Sequence, residues 1–141
     1  MRLPTREDFN TYGSLDEATA CNHFYNKTLT EAEALFRENS LTYCQDFMWM
    51  GAKAFNFYLD ALIKYVQSDE SAGDNDIVNC LPSVIEYRLS EAGFAESIPR
   101  IRVLIEYVIK SYDKFEVDVT IYGDLLSKYK ALSKVLDEEG G

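Results

Sequence analysis

The run from Ala52 to Gln67, AKAFNFYLDALIKYVQ, constrains this chain more than any other stretch. Its polar residues, Lys53, Asn56, Asp60, Lys64 and Gln67, fall three or four places apart and make one stripe on an α-helix. Every other residue in the run is apolar or aromatic. A helix that is apolar round most of its circumference must be nearly surrounded by protein. The expected fold is therefore all-α, one domain over residues 1–141, a bundle of five to six helices around a central helix 52–67.

Length and composition agree with such a bundle. A chain of 141 residues that is 47% hydrophobic and 27% charged is an ordinary globule, able to bury roughly two-thirds of its unfolded surface without staples. No apolar run approaches the ~18 residues that would cross a bilayer. The start, MRLPTREDFN, has no secretory core, and Cys21, Cys44 and Cys80 are odd in number and form no CxxC pair. These features point to free thiols and a cytoplasmic setting. The Asn26-Lys27-Thr28 sequon is then a chance match.

The net charge is −10 and uneven: residues 1–99 carry 16 acids against 7 bases, the remainder 8 against 7. Such a chain repels phosphate backbones, which disfavours nucleic acid as a partner. The acids serve solubility, or form a face for a basic protein partner.

Capping signals mark helix starts. Thr5 with Asp8 opens a short helix that ends before Gly13. Ser14 with Glu17 opens one to about Tyr25, and Thr30 with Glu33 opens a third that closes near Asn39. Residues 40–51, SLTYCQDFMWMG, show no clear period and are expected to form a connection, with Gly51 as N-cap of the central helix. Residues 68–76, SDESAGDND, form the clearest loop. Ile77, Leu81, Val84, Ile85 and Leu89 recur at helical spacing, and Pro82 should kink or restart that helix. A strong stripe runs from Ile98 to Tyr112. Phe115, Val117 and Val119 alternate with acids, as in a short strand or, with no partner strand evident, an extended linker. A last helix is expected over 120–137, weakened early by Gly123, with a frayed tail at 138–141.

Chemistry is sparse. His23 is the only histidine, which removes His-rich metal sets and the HExxH motif, and Cys21, two places away, points to a different helix face. No metal site and no cofactor are expected. A Cys–His nucleophile would have to draw on Cys44 or Cys80, for which a buried, inert thiol is the simpler expectation. No G-x-G-x-x-G, Walker A or G-x-S-x-G sequence is present. Asp60 has the most apolar neighbours of the carboxylates, but an i,i+4 pair with Lys64 on a wet stripe explains it. No catalytic residue is assigned, and the chain leans away from being an enzyme.

Aromatics are the remaining signal. Seven of the 19 lie between Tyr43 and Tyr65. Phe47, Met48, Trp49 and Met50 fall on the expected connection, where large apolar side chains are unusual; they form either a lid on the central helix or an exposed recognition patch. Trp and Tyr anchor interfaces and Met adapts to irregular partners. The candidate partner-binding set is therefore Tyr43, Phe47, Met48, Trp49 and Met50, joined by the loop acids Asp69, Glu70, Asp74 and Asp76.

The run from Trp49 to Ala61 resembles a pattern in small bacterial helical proteins of uncharacterised function, which share Ala-Phe-x-[Phe/Tyr]-Tyr-Leu-Pro-Ala. Ala54, Phe55, Phe57, Tyr58, Leu59 and Ala61 match, and Asp60 stands where proline is usual. The resemblance implies a bacterial source and a soluble helical domain, and it brings no activity and no site residues.

The functional expectation is a non-enzymatic, acidic protein-binding module, of the kind that antagonises a basic partner as an immunity protein does a toxin. The alternative is a small-molecule or metal-binding domain, even a weak hydrolase, with a pocket at Asn56, Asp60 and Lys64. A structural homo-oligomer is the third possibility.

Overall fold

The computed structural model describes residues 2–10, 12–91 and 93–140. The chain is one all-α domain, and no strand occurs among the described residues. Among the described residues eight α-helices follow in order: α1 Arg6–Phe9, α2 Leu15–Phe24, α3 Leu29–Trp49, α4 Ala52–Gln67, α5 Asn75–Arg88, α6 Ile98–Lys110, α7 Val119–Tyr122 and α8 Leu125–Gly140. The count exceeds the expected five to six because two of the helices are single turns.

The central helix is α4. It packs against α3, α1 and α6, while α5 fills the space between α3 and α8, and α6 lies along α8. Ala54, Phe55, Tyr58, Leu59, Ala61, Leu62, Tyr65 and Val66 are buried; Lys53, Asp60, Lys64 and Gln67 are exposed and Asn56 is half-buried. The thin wet stripe of the sequence is thus a thin wet stripe in space.

Helix starts follow the capping signals with one shift. Thr5–Asp8 and Ser14–Glu17 form reciprocal capping boxes. The third box is Thr28–Glu31, two residues before the expected Thr30–Glu33. The earlier start brings Leu29 against the core and leaves Glu33 to bind Arg37 at 2.7 Å and Lys64 at 3.8 Å.

Residues 40–49 are helical, which corrects the expected connection. At Asn39 the backbone leaves helical geometry (φ −158°, ψ 84°), and its Oδ1 accepts the Thr42 N–H, restarting the helix as a cap does. The buried stripe of this second half passes through Ser40, Cys44 and Phe47. A serine in the seam hid the period from the sequence.

Pro82 neither breaks nor restarts α5, which runs through it. Proline removes the N–H that would bond the carbonyl four residues earlier, that of Val78. The hydroxyl of buried Tyr129 in α8 takes that place, donating to Val78 O at 2.6 Å. The chain repeats this device at helix C-termini, whose last carbonyls lack partners. Tyr58 Oη donates to Phe24 O and Lys27 O at 2.9 and 2.7 Å behind α2. Burial pushes its phenol up to about 12, so the donor proton stays in place. Arg88 Nη1 donates to Phe47 O at 2.6 Å behind α3, and Lys114 Nζ to Val66 O and Ser68 O at 3.0 and 2.7 Å behind α4.

The expected 68–76 loop is shorter, residues 68–74, because Asp74 caps α5 and Asn75 and Asp76 are helical; it holds a 3₁₀ turn at Asp69–Ser71. The expected extended linker is instead a 3₁₀ turn at Tyr112–Phe115 followed by a left-handed Glu116 (φ 51°, ψ 46°), and Asp118, the cap of α7, is extended. Gly123 (φ +72°, ψ −158°) splits the expected last helix into α7 and α8. The latter continues through Gly140, past the expected end at Asp137; Gly141 lies outside the described residues.

Candidate functional site

An open cleft of about 660 Å³ lies where α1, the start of α2, the α3–α4 junction and the end of α5 meet. Its floor is made by close backbone approaches. Gly51 N–H donates to Phe9 O at 2.8 Å. Gly93, at φ +86°, lies so near α4 that a Cβ there would stand 2.9 Å from the Ala52 Cβ. Only glycine suits that position.

Exposed rings form the walls. Trp49 and Tyr87 meet edge to face, with centroids 5.4 Å apart, and both keep solvent contact, at 37% and 51%. Tyr12 lines the same cleft and is 83% exposed. Leu15, the first residue of α2, is also exposed, outside the cleft lining. A surface hollow of about 440 Å³, lined by Leu41, Gln45, Asn79, Cys80 and Ser83, shares Met48 and Trp49 with the cleft.

Carboxylates set the charge. Glu7, Asp8, Asp16, Glu17 and Glu91 line the cleft against Lys53 and Arg88. Glu17 is buried and accepts the Tyr12 and Ser14 N–H groups at 3.0–3.1 Å. Asp8 accepts the Thr5 N–H. Arg88 is 3% exposed and engaged inward, by Phe47 O, by Glu91 at 2.7 Å and over the Phe55 ring. The outward charge of the cleft is therefore negative.

No protein-family model, curated protein or solved structure matches this chain.

The residues expected from sequence divide sharply. Trp49 is exposed and Met48 half-buried at the cleft; Met50 borders the cleft with its side chain buried, and Phe47 is fully buried core away from it. Phe47 points inward because helical geometry in 40–49 spreads neighbouring residues across different faces. Tyr43 is half-buried against His23 and Phe24, beyond the cleft lining. So the tetrad is neither wholly lid nor wholly patch.

The loop acids lie at the other end of α5, a helix of 14 residues and so about 21 Å long. There Asp74 caps α5 through Ile77 N–H and accepts the Tyr65 hydroxyl at 2.6 Å; Asp76 accepts from Tyr122, and Glu70 binds Arg37 at 3.3 Å. Asp69 opens the 3₁₀ turn. None of the four lines the cleft.

The stripe expected to hold a pocket is bridged instead. Asp60 binds Arg100 at 2.9 Å, and Asn56 Oδ1 accepts from both Arg100 and Ser97. Lys64 leans to Glu33, so the expected Asp60–Lys64 pair gives way to bonds across helices. Neither hollow reaches these side chains.

Sequence reasoning missed Tyr12, Leu15, Tyr87 and the N-terminal acids Glu7 and Asp16. Tyr87 follows the helical pattern of α5 on its polar side, next to Glu86, and that placement was the available signal. It also missed a dyad: His23 Nδ1 lies 2.6 Å from Asp46 Oδ2. Asp46 is buried, and desolvation holds its carboxyl above the usual range although His23 opposes that. Among the described residues no three His, Cys, Asp or Glu gather as a metal site, and no helix is long and apolar enough to cross a membrane.

Proposed function

We propose that this protein is a non-enzymatic binding module whose cleft takes a basic segment of a partner protein. The observation that carries the reading is the conjunction at one cleft of three solvent-exposed rings, Tyr12, Trp49 and Tyr87, with an outward-facing excess of carboxylate. Aromatic faces attract guanidinium and ammonium groups, and carboxylates strengthen that preference while rejecting anions. Glu7 and Asp16 are exposed beside Tyr12, where they can steer a basic chain before the rings hold it. The acids that steer come from the N-terminal helices, not from the 68–76 loop.

A small acidic antagonist of a basic toxin is one biological form of this reading. Cytoplasmic residence and a bacterial source belong to it as proposals, supported by the free thiols and by the Ala54–Ala61 run.

The test uses Trp49, the sole tryptophan, as reporter. Titration with a penta-arginine peptide changes its emission in a saturable way. Salt weakens the binding, and a penta-glutamate peptide has no effect. Tyr87→Ala should weaken binding at least ~10-fold, the scale of an interface aromatic anchor. An unchanged emission with penta-arginine at low salt overturns the reading.

A further inference from the structure

Two rows of exposed residues run along neighbouring helices. On α3 they are Leu41, Gln45 and Trp49; on α5 they are Asn79, Ser83 and Tyr87. Each row repeats every four residues, so each is one helix face. The rows converge on the edge-to-face contact of Trp49 with Tyr87, and the 440 Å³ hollow lies between them, with Met48 on its wall. None of the side chains lining the hollow is charged, in a chain whose net charge is −10. The adjoining cleft, across Trp49, is lined by five carboxylates and two cations. One tryptophan thus divides a charged basin from a neutral one.

We infer, building on the basic-segment reading of the cleft, that cleft and hollow form a bipartite site for one extended segment of a partner protein, its cationic residues in the cleft and an uncharged aliphatic residue in the hollow. A cation in the hollow would leave water with no counter-charge to meet it, whereas an aliphatic side chain gains by covering Leu41, Met48 and Trp49. Leu41 and Trp49 keep 36% and 37% of their surface in solvent, so there is area to cover. Met48 adapts to the shape of what it meets. The exposed amides of Gln45 and Asn79 and the exposed Ser83 hydroxyl can pair with the peptide groups of the bound chain. The helix sets the spacing. Leu41 and Trp49 are eight residues apart, about 12 Å along α3. An extended chain covers that distance in about three to four residues. The aliphatic residue therefore stands about three to four places from the basic ones.

Titration of the wild-type chain with four peptides, read by Trp49 emission, tests it: Arg-Arg-Gly-Gly-Leu-Leu, its reverse sequence, and the two counterparts with serine for leucine. One leucine peptide should bind at least ~5-fold tighter than its serine counterpart, the scale of partly burying a leucine. In Ser83→Tyr, which fills the hollow, that ratio should fall below ~2-fold. Equal binding of leucine and serine peptides overturns the bipartite site and leaves the basic-segment reading intact. A leucine gain that survives in Ser83→Tyr places the leucine elsewhere and overturns it too, as does equally tight binding of Ser-Ser-Gly-Gly-Leu-Leu. No binding by any arginine peptide at low salt removes both readings. A dimer seen by ultracentrifugation that Ser83→Tyr dissociates gives the hollow to a second copy of the chain, and that also overturns the proposal. Should Ser83→Tyr fail to fold, the wild-type comparison decides alone.

Discussion

The two ends of α5 carry acids in similar density and use them for opposite purposes. At its start, Asp74 and Asp76 are consumed by the fold: one caps the helix and holds Tyr65, the other receives Tyr122. Neighbouring Glu70 is tied to Arg37, and Lys114 threads into the last carbonyls of α4. Past its end, Arg88 and Glu91 neutralise each other at the cleft floor while the rings of Trp49, Tyr87 and Tyr12 stay in solvent. Acidic sequence alone therefore does not mark a recognition surface. The proposed cleft rests instead on acids beside aromatic rings that stay open to solvent.

The contrast can be broken most forcefully at Arg88. Arg88→Ala removes the cap on buried Phe47 O and leaves Glu91 without its cation, and it should cost about 3 kcal/mol in urea denaturation. An anchor at the opposite end costs less. Tyr129→Phe orphans the Val78 carbonyl that Pro82 has already freed, and a loss of about 1–2 kcal/mol is expected by the same measurement. If Pro82→Ala is added, its restored N–H should recover much of that loss, a coupling read from a double-mutant cycle.

Recognition should separate from stability at the rings. Trp49→Ala, followed by calorimetry with penta-arginine, should cost roughly 2 kcal/mol of binding and less than that of stability, since the side chain is over a third exposed. Asp69→Asn with Glu70→Gln at the loop should leave that binding within about 0.5 kcal/mol of wild type. Equal losses at both ends would dissolve the distinction.

A smaller effect concerns pH. The native carboxyl of Asp46 is raised above its unfolded value, so its contribution to stability is complete below about pH 4 and is lost as pH rises through the native value. Asp46→Asn removes that dependence. Its stability relative to wild type should therefore be better at pH 7 than at pH 4, by urea melts at both. A difference that is constant or of opposite sign would show that His23 compensates Asp46 fully.

Much of the architecture was legible because helix signals are local. Ser14 with Glu17 announced α2, and the spacing of Ile98, Ile101, Leu104, Ile105 and Val108 announced α6, whose named residues are all buried. The 40–49 helix was not legible, since its buried seam runs through Ser40 and its start rests on a single Asn39 side chain. Of the candidate site, Trp49 and Met48 were named from composition and lie at the cleft. That Phe47 and Met50 are buried was not legible, because the period that separates Phe47 from Trp49 belongs to a helix the pattern concealed. Tyr12 and Tyr87, far apart in sequence, gave no sign of sharing a cleft with Trp49.

By itself the sequence determined that the chain is helical, where most helices begin, and that α4 is the buried axis. Those properties depend on residues three and four places apart, within reach of one turn. Tertiary structure alone decided which aromatics remain in water and which carbonyls are closed by distant side chains. The partners in question, such as Arg88 with Phe47 and Tyr129 with Val78, are 41 and 51 residues apart. No periodicity links positions so separated; only the packing of whole helices brings them into contact.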